Sequence, residues 1–355
     1  MPKDINSLLK LMVEKNASDI HITTSSPVQM RIDENLVGVD KDILTAEESK
    51  KLVYSMLSDA QIKKFEEDLE LDMAFGVKGV DRFRVNVFQQ RGAVGASIRL
   101  IPFEMWNFER CGLPVNVALD LCKKPKGLIL ITGATGSGKS TSLASMIDWI
   151  NQNRSCHIVT IEDPIEFVHK NRMGLVNQRE VYSDTHSFGA ALKHVLRQDP
   201  DVILIGELRD LETIESALII AETGHLVFST IHTSDCVQTI NRIIDVFPAY
   251  QQPQIRTQLS FVLIGVLSQQ LIPKVQKPGM VLATEILIVT PAVRSLIRES
   301  KIHQIYSVIQ TSQKDGMKTM NQALYELHQK KLISYEDAFD RTTDPEDLAR
   351  IFNKR

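Results

Sequence analysis

The run Gly133-Ala134-Thr135-Gly136-Ser137-Gly138-Lys139-Ser140-Thr141 follows an uncharged, β-branched stretch from Gly127 to Thr132 and leads into Ser142-Leu143-Ala144-Ser145-Met146-Ile147. An apolar run that stops at a glycine-rich turn and resumes with helical spacing predicts buried strand, loop and helix, in that order. Such an order limits the chain to an α/β arrangement with the loop at the carboxyl end of a strand. Gly133, Gly136 and Gly138 allow backbone conformations that a side chain forbids, so successive N–H groups can point at phosphate oxygens at a helix N-terminus. Lys139 then brings a point charge to the β and γ phosphates, and the Ser140 hydroxyl is a ligand for Mg²⁺. An ordinary glycine turn is the competing reading; the flanking strand and helix favour binding of a nucleoside triphosphate.

A chain of 355 residues exceeds one small core and points to two domains. Apolar positions at helical spacing over residues 5–15, then short strands at 18–22, 28–32 and 36–39 about a turn at Asp33-Glu34-Asn35, open an α+β module. Thr45 and Glu48 have capping-box spacing ahead of a helix, and strands return at 71–76, 82–89 and 93–100. The first domain is therefore expected over residues 1–100. Residues 101–114 lack either periodicity, are bracketed by prolines and read as a linker, whose Phe103, Trp106 and Phe108 predict packing rather than a free tether. Over residues 115–355, strands at 128–132, 157–162, 201–206 and 225–231 alternate with helices, including ones at 187–197 and 211–223, which implies a mostly parallel sheet. Beyond Val237 the reading is mainly helical, with one more strand at 281–289.

Lys plus Arg at 41 against Asp plus Glu at 44 gives a net charge of −3 without long runs of one sign, which does not suggest a nucleic-acid-coating protein, though it leaves room for local basic surfaces, and no nucleic-acid partner is expected. Cys111, Cys122, Cys156 and Cys236 form no C-x-x-C pair, against both a zinc site and a disulfide scaffold. No apolar run follows a basic start, and the least charged stretch, from Arg256 to Lys274, is broken by Ser260, Ser268, Gln269 and Gln270. A cytoplasmic location is expected.

Two acidic strand ends complete the candidate site. Val202 to Ile205 runs through Gly206 into Glu207, a carboxylate placed to hold Mg²⁺ through water at a strand tip neighbouring the phosphate loop. A salt bridge to Arg209 is its alternative reading. Ile158 to Ile161 delivers Glu162, followed by Asp163, Pro164 and Glu166; hydrolysis needs a carboxylate to orient water, and Glu162 comes first after the strand. Glu162 and Glu207 can exchange roles at this stage. His232, closing the strand before Thr233 and Ser234, is either a phosphate sensor or a satisfied structural histidine. Arg197 and Arg209 flank the Glu207 strand as candidates for neutralising charge on the transferred phosphoryl group.

The loop, the acidic box from Ile161 to Phe167, the box from Arg197 to Asp210 and the histidine box from Gly224 to Thr233 together resemble the type II/type IV secretion ATPases. Residues 17–22, 81–86 and 242–248 also look like segments of that family. Within it the chain is most similar to the pilus-retraction ATPases: it starts almost directly at the small α+β module and has no paired-cysteine insertion. Ala292 to Glu299 looks like the retraction branch's AIRNLIRE-type motif, departing at Val293 and Ser295, where the pattern has Ile and Asn. The resemblance implies a homo-hexamer in which each subunit joins a PAS-like N-terminal domain to a RecA-like ATPase domain. It also implies ATP and Mg²⁺ as cofactors, and Arg82, Arg84 and Arg99 as residues that reach the phosphates from the first domain. Strand-face arginines paired with nearby acids are the alternative for those three. The implied partner is an inner-membrane pilus platform protein, through which pilin is removed from the fibre base.

Overall fold

A computed structural model describes residues 4–15, 17–32, 35–77, 81–101, 105–276 and 279–353. The chain divides into two compact units, one ending at residue 104 and one beginning at residue 105.

The first unit holds helices α1 (Ile5–Glu14), α2 (Ala46–Tyr54) and α3 (Asp59–Asp68) and six strands: β1 (Asp19–Ile22), β2 (Gln29–Ile32), β3 (Asn35–Gly38), β4 (Glu70–Gly76), β5 (Arg82–Gln90) and β6 (Ala93–Ile101). They form one antiparallel sheet in the order β3-β2-β1-β6-β5-β4. Its period-two pattern is plainest in β5, where Phe83, Val85 and Val87 are buried and Arg82, Arg84 and Asn86 are not. The buried set packs with Leu8, Leu9 and Met12 of α1 and with Phe65 of α3. Thr45 caps α2 with both bonds of the expected box, its side chain accepting from the Glu48 N–H while the Glu48 carboxylate accepts from the Thr45 N–H. Asp33 and Glu34 of the expected turn lie outside the described residues, as does Phe103.

The second unit begins inside the expected linker. Phe108–Cys111 is a short helix, α4, and Phe108 and Leu113 are buried in the second unit's core beside α5 (Val115–Cys122), while Trp106 stays exposed. Residues 105–114 thus pack as the entry to the second unit, because burial of Phe108 and Leu113 outweighs the absence of periodicity. There follow β7 (Gly127–Thr132), α6 (Lys139–Asn153), β8 (His157–Glu162), β9 (Leu175–Glu180), α7 (Phe188–Val195), β10 (Val202–Ile205), α8 (Leu211–Glu222), β11 (Leu226–Ile231), α9 (Cys236–Asp245), α10 (Gln252–Val262), β12 (Leu263–Pro273) and β13 (Met280–Ile288). The sheet order is β13-β12-β7-β11-β10-β8-β9, all parallel except β13, which pairs antiparallel with β12. Alternate residues of one strand enter different cores: Leu128 and Leu130 join Ile214, Ala217 and Ile240 on one face, and Ile129 and Ile131 join Leu121, Met146 and Ile147 on the other. Both faces are covered, so the fully buried strands β7, β10 and β11 carry no charged residue.

Helices α11 (Pro291–Arg298), α12 (Ile305–Thr311), α13 (Met320–Gln329), α14 (Tyr335–Arg341) and α15 (Pro345–Asn353) complete the chain. Val293 and Ile297 of α11 and Ile305 and Ile309 of α12 join the main core, and α13 to α15 gather Leu324, Ala338 and Leu348 against Ile272 and Ala283 of the sheet. The sequence reading missed β9 and β12. The first is a polar strand, Leu-Val-Asn-Gln-Arg-Glu, with weak β-propensity, and the second is an unalternating apolar run weighed above as a membrane span. Among the described residues, no helix is long and apolar enough to cross a membrane.

Candidate functional site

The loop after β7 has the backbone that its glycines permit. Gly133 sits at φ +140°, where a Cβ would lie 2.4 Å from the Gln269 carbonyl oxygen and 2.6 Å from Ser137 Oγ, so no other residue fits. Gly138, at φ +85°, starts α6 without a side-chain cap and leaves its first-turn N–H groups to a ligand or to water. Lys139 is buried, and its ammonium donates to the Gly133 and Ala134 carbonyls at 2.9 Å each, which holds the loop closed on itself. Burial lowers the Lys139 pKa, opposed by the carboxylates of Glu166 and Glu207. Ser140 and Thr141 lie half-buried on the first turn of α6. Ser137 Oγ is buried with no hydrogen-bond partner among the described residues.

Four strand tips line this edge. Thr132 of β7 pairs with Ile231 of β11, Ser229 of β11 with Ile205 of β10, and Ile205 with Ile161 of β8. The loop, His232, Glu207 and Glu162 therefore leave successive strands on the same side. Glu207's strand is not the immediate neighbour of the loop strand, as its position in the sequence suggested. β11 intervenes, two strand spacings separate the axes, about 10 Å, and His232 occupies the middle position.

Glu207 is largely buried. One carboxylate oxygen takes the Arg209 guanidinium at 2.5 Å and the other lies 3.7 Å from His232 Nε2. The salt bridge to Arg209, offered as an alternative to a metal role, is therefore present. Burial, followed by the charge of Lys139, holds the His232 imidazole below its ordinary pKa, so near neutral pH the ring is uncharged and its contact with Glu207 is not an ion pair. Glu162 behaves differently. Burial pushes its carboxyl up to about 7, against hydrogen bonds from Thr160, Gln178 and the Glu166 backbone that favour the ionised form. Asp163-Pro164, which follows, is a cis peptide.

The position of Arg197 differs from expectation. Arg197 is exposed in a short 3₁₀ turn between α7 and β10, at the amino end of the strand whose carboxyl end carries Glu207. Within one chain it stands at the opposite sheet edge, because α7 returns the chain there before β10 begins. Of the acid-box carboxylates, Glu166 is the one whose charge acts on Lys139. In the first unit, Arg84 pairs in register with Arg99, and Arg99 donates to Asp19 at 2.8 Å, the acid pairing held open above. Arg82 flanks Asp81, whose carboxylate accepts its N–H.

The sequence reading also passed over Gln178, Gln269 and Glu285. Gln269, almost fully buried on β12, donates to Ser142 Oγ at 2.8 Å and backs the loop with its carbonyl. Buried Glu285 on β13 accepts the first N–H groups of both α9 and α13. The available signal was a polar side chain inside an apolar run, visible for Gln269 and Glu285 once β12 and β13 are known to be strands.

Residues 1–278 match the model of the type II/IV secretion system protein family. This chain belongs to that family. Among its secretion-system relatives, the Pseudomonas aeruginosa type IV pilus retraction ATPase PilT is 48% identical over 97% of this chain and 100% of its own length. A Neisseria gonorrhoeae twitching motility protein is 44% identical over 97% of this chain and 92% of its own. A solved structure of the pilus retraction motor PilT with bound ADP superposes at TM-score 0.92 and 52% identity, covering 98% of this chain and 99% of that one. The second unit of this secretion-family chain accordingly has the RecA-like ATPase architecture, joined to an N-terminal antiparallel-sheet unit. The family match ends before β13, and the superposition on the retraction motor continues past it, over 98% of this chain.

Proposed function

We propose that this chain is an ATP-hydrolysing motor that powers type IV pilus retraction, and with it twitching motility. The observation that carries the reading is the sheet edge itself, where successive strand tips present the phosphate loop, His232, Glu207 and Glu162. Loop N–H groups, the Ser137 hydroxyl and Lys139 bind and orient the phosphates; on releasing the Gly133 and Ala134 carbonyls, the lysine ammonium is free to turn to a phosphate oxygen. Glu162, poised near neutrality by burial, takes the proton of the attacking water. His232 remains neutral beside Glu207 and is placed to sense the terminal phosphate. Arg209 neutralises charge at the same edge. Ser140 and Glu207 offer the hard oxygen donors that Mg²⁺ takes, and the ion would supply charge neutralisation on the phosphates.

Retraction, as against other work done with ATP, is supported by similarity to a retraction motor across both units. The assembly expected of such a motor is a homo-hexamer acting at the inner membrane on the pilus platform protein. Deleting the gene in its host tests the direction: excess pili that fail to retract are expected, and bald cells would identify an assembly motor instead. Purified hexamer without Mg²⁺-dependent turnover would replace the motor with a non-hydrolytic modulator of another one.

A further inference from the structure

β8 and β9 run parallel with Thr160 opposite Gln178 and Glu162 opposite Glu180, so these four polar side chains share one face of the edge pair. Two side-chain donors converge on Glu162, beside the Glu166 backbone N–H. Thr160 Oγ1 donates at 2.6 Å and Gln178 Nε2 at 3.2 Å, and both bonds fall on the same carboxylate oxygen, Oε1. The Gln178 amide has no choice of orientation. Its oxygen accepts the His169 N–H at 2.7 Å and its nitrogen donates to the Phe167 carbonyl at 2.8 Å, so flipping it would set donor against donor and acceptor against acceptor. The backbone of the acid-box loop thus aims the remaining Gln178 N–H at Glu162. Glu180, next along the same face, accepts the Ile165 N–H at 3.0 Å and ties down the start of that loop.

We propose that Gln178, with Thr160, is a positioning residue for the ATPase step: the two side-chain donors fix the Glu162 carboxylate through Oε1 for its work on the attacking water. The proposal rests on the assignment of Glu162 as the base made above. Donors to Oε1 do two things at once. They restrict rotation of the carboxylate, and they favour its charged form, the form that accepts a proton. The charged groups around Glu162 are Glu166, on the loop that follows and of like sign, and Glu180, opposite in the register; β10 presents Gly206, which has no side chain. With burial and a neighbouring carboxylate both opposing ionisation, the Thr160 and Gln178 bonds keep the base available at neutral pH.

The test is the pH dependence of kcat at saturating MgATP for the purified full chain, with Glu162→Gln measured first. Loss of turnover with retained ATP binding supports the base assignment; wild-type turnover in that variant overturns both the assignment and this proposal. Given the loss, Thr160→Val removes one donor at constant shape and Gln178→Met removes the other. Each is expected to move the acidic limb of the profile upward by about one pH unit, and Thr160→Ser to restore it. A fall in kcat with the acidic limb unmoved in both Thr160→Val and Gln178→Met would make these side chains merely structural and overturn the proposal alone. Should Gln178→Met fail to fold, because that amide also ties the loop, the Thr160→Val and Thr160→Ser pair decides the matter.

Discussion

The two sheets of this chain keep their polar residues in different places. In the antiparallel sheet of the first unit they alternate along the strand, as Arg82, Arg84 and Asn86 do on β5. In the parallel sheet of the second unit β7, β10 and β11 are buried throughout, and the charged and titratable groups stand beyond the strand tips, as Lys139, His232 and Glu207 do. A sheet covered on one face can be altered on its open face at small cost. A sheet covered on both has only its edge for chemistry, so each edge residue should matter far more than a face residue of the same polarity.

The largest effect expected from that contrast is in Lys139→Ala. Removing the ammonium takes away the phosphate partner and both loop-closing bonds, and turnover should fall by about a thousandfold while the thermal melt still shows a folded chain. Asn86→Ala, on the open face of β5 where it reaches only toward Asp72, should leave turnover as it is. Steady-state hydrolysis of the two variants side by side checks this; comparable losses in both would dissolve the distinction between edge and face.

Capping separates the two units in another way. α2 and α3 are capped by their own neighbours in sequence, Thr45 with Glu48 and Ser58 with Gln61. α9 and α13 additionally share Glu285, whose two oxygens accept the N–H groups of Cys236 and Met320 from 49 and 35 residues away. Truncation in Glu285→Ala would leave two buried helix N-termini short of an acceptor, a loss of about 3 kcal/mol. Glu285→Gln, with one acceptor oxygen retained, should lose roughly half of that. Denaturant melts of both variants measure the difference, and equal stability of Glu285→Ala and wild type would show that water replaces the carboxylate.

That difference in range also explains how much was legible in the sequence. The Thr45 box, the phosphate loop and the strands ending at Thr132, Glu162 and Ile231 are local patterns, in which identity and spacing within a few residues carry the information, and they were readable. Glu285, Gln269 and Gln178 act on partners 35 to 49, 127 and 16 residues away in sequence, and nothing within their own segments announces the partner. Arg197 was misplaced for the same reason. Proximity in sequence to Glu207 hid the length of β10 between them, and strand direction, which a motif does not state, decides the edge at which a residue lies.

Glu162→Gln should show the edge giving up stability for function. The Glu162 carboxyl titrates at about 7 in the folded chain against an ordinary 4.5, so the native state holds a proton that the unfolded chain releases, and wild-type stability falls as pH rises through that window. The Gln variant has no such loss. Its melting temperature should exceed that of wild type at pH 8, by a stability gain on the order of 2 kcal/mol, and the gap should close toward pH 4.5 as Glu162 takes up its proton in both states. A gap that is constant with pH would show that the carboxyl is not strained by burial.

Asp19→Asn should show the smallest effect and the opposite slope. Burial alone would raise the Asp19 carboxyl, but the hydrogen bonds from Arg99 and Ser18 outweigh it and hold the group below its ordinary 3.8. For a depressed carboxyl the stabilisation is fully present above the unfolded value and is lost as pH falls through the folded one. The Asn variant should therefore melt below wild type at pH 7, by about 1 kcal/mol, since the Arg99 side chain is largely exposed and screened. Below pH 3.8 that deficit should shrink. Melts of both variants across pH 3 to 8 set a deficit fading toward acid in the first unit against a gain growing toward base in the second. Deficits of the same sign and slope would mean that the two carboxyls meet the same environment, and that the sheet edge has no claim to special chemistry.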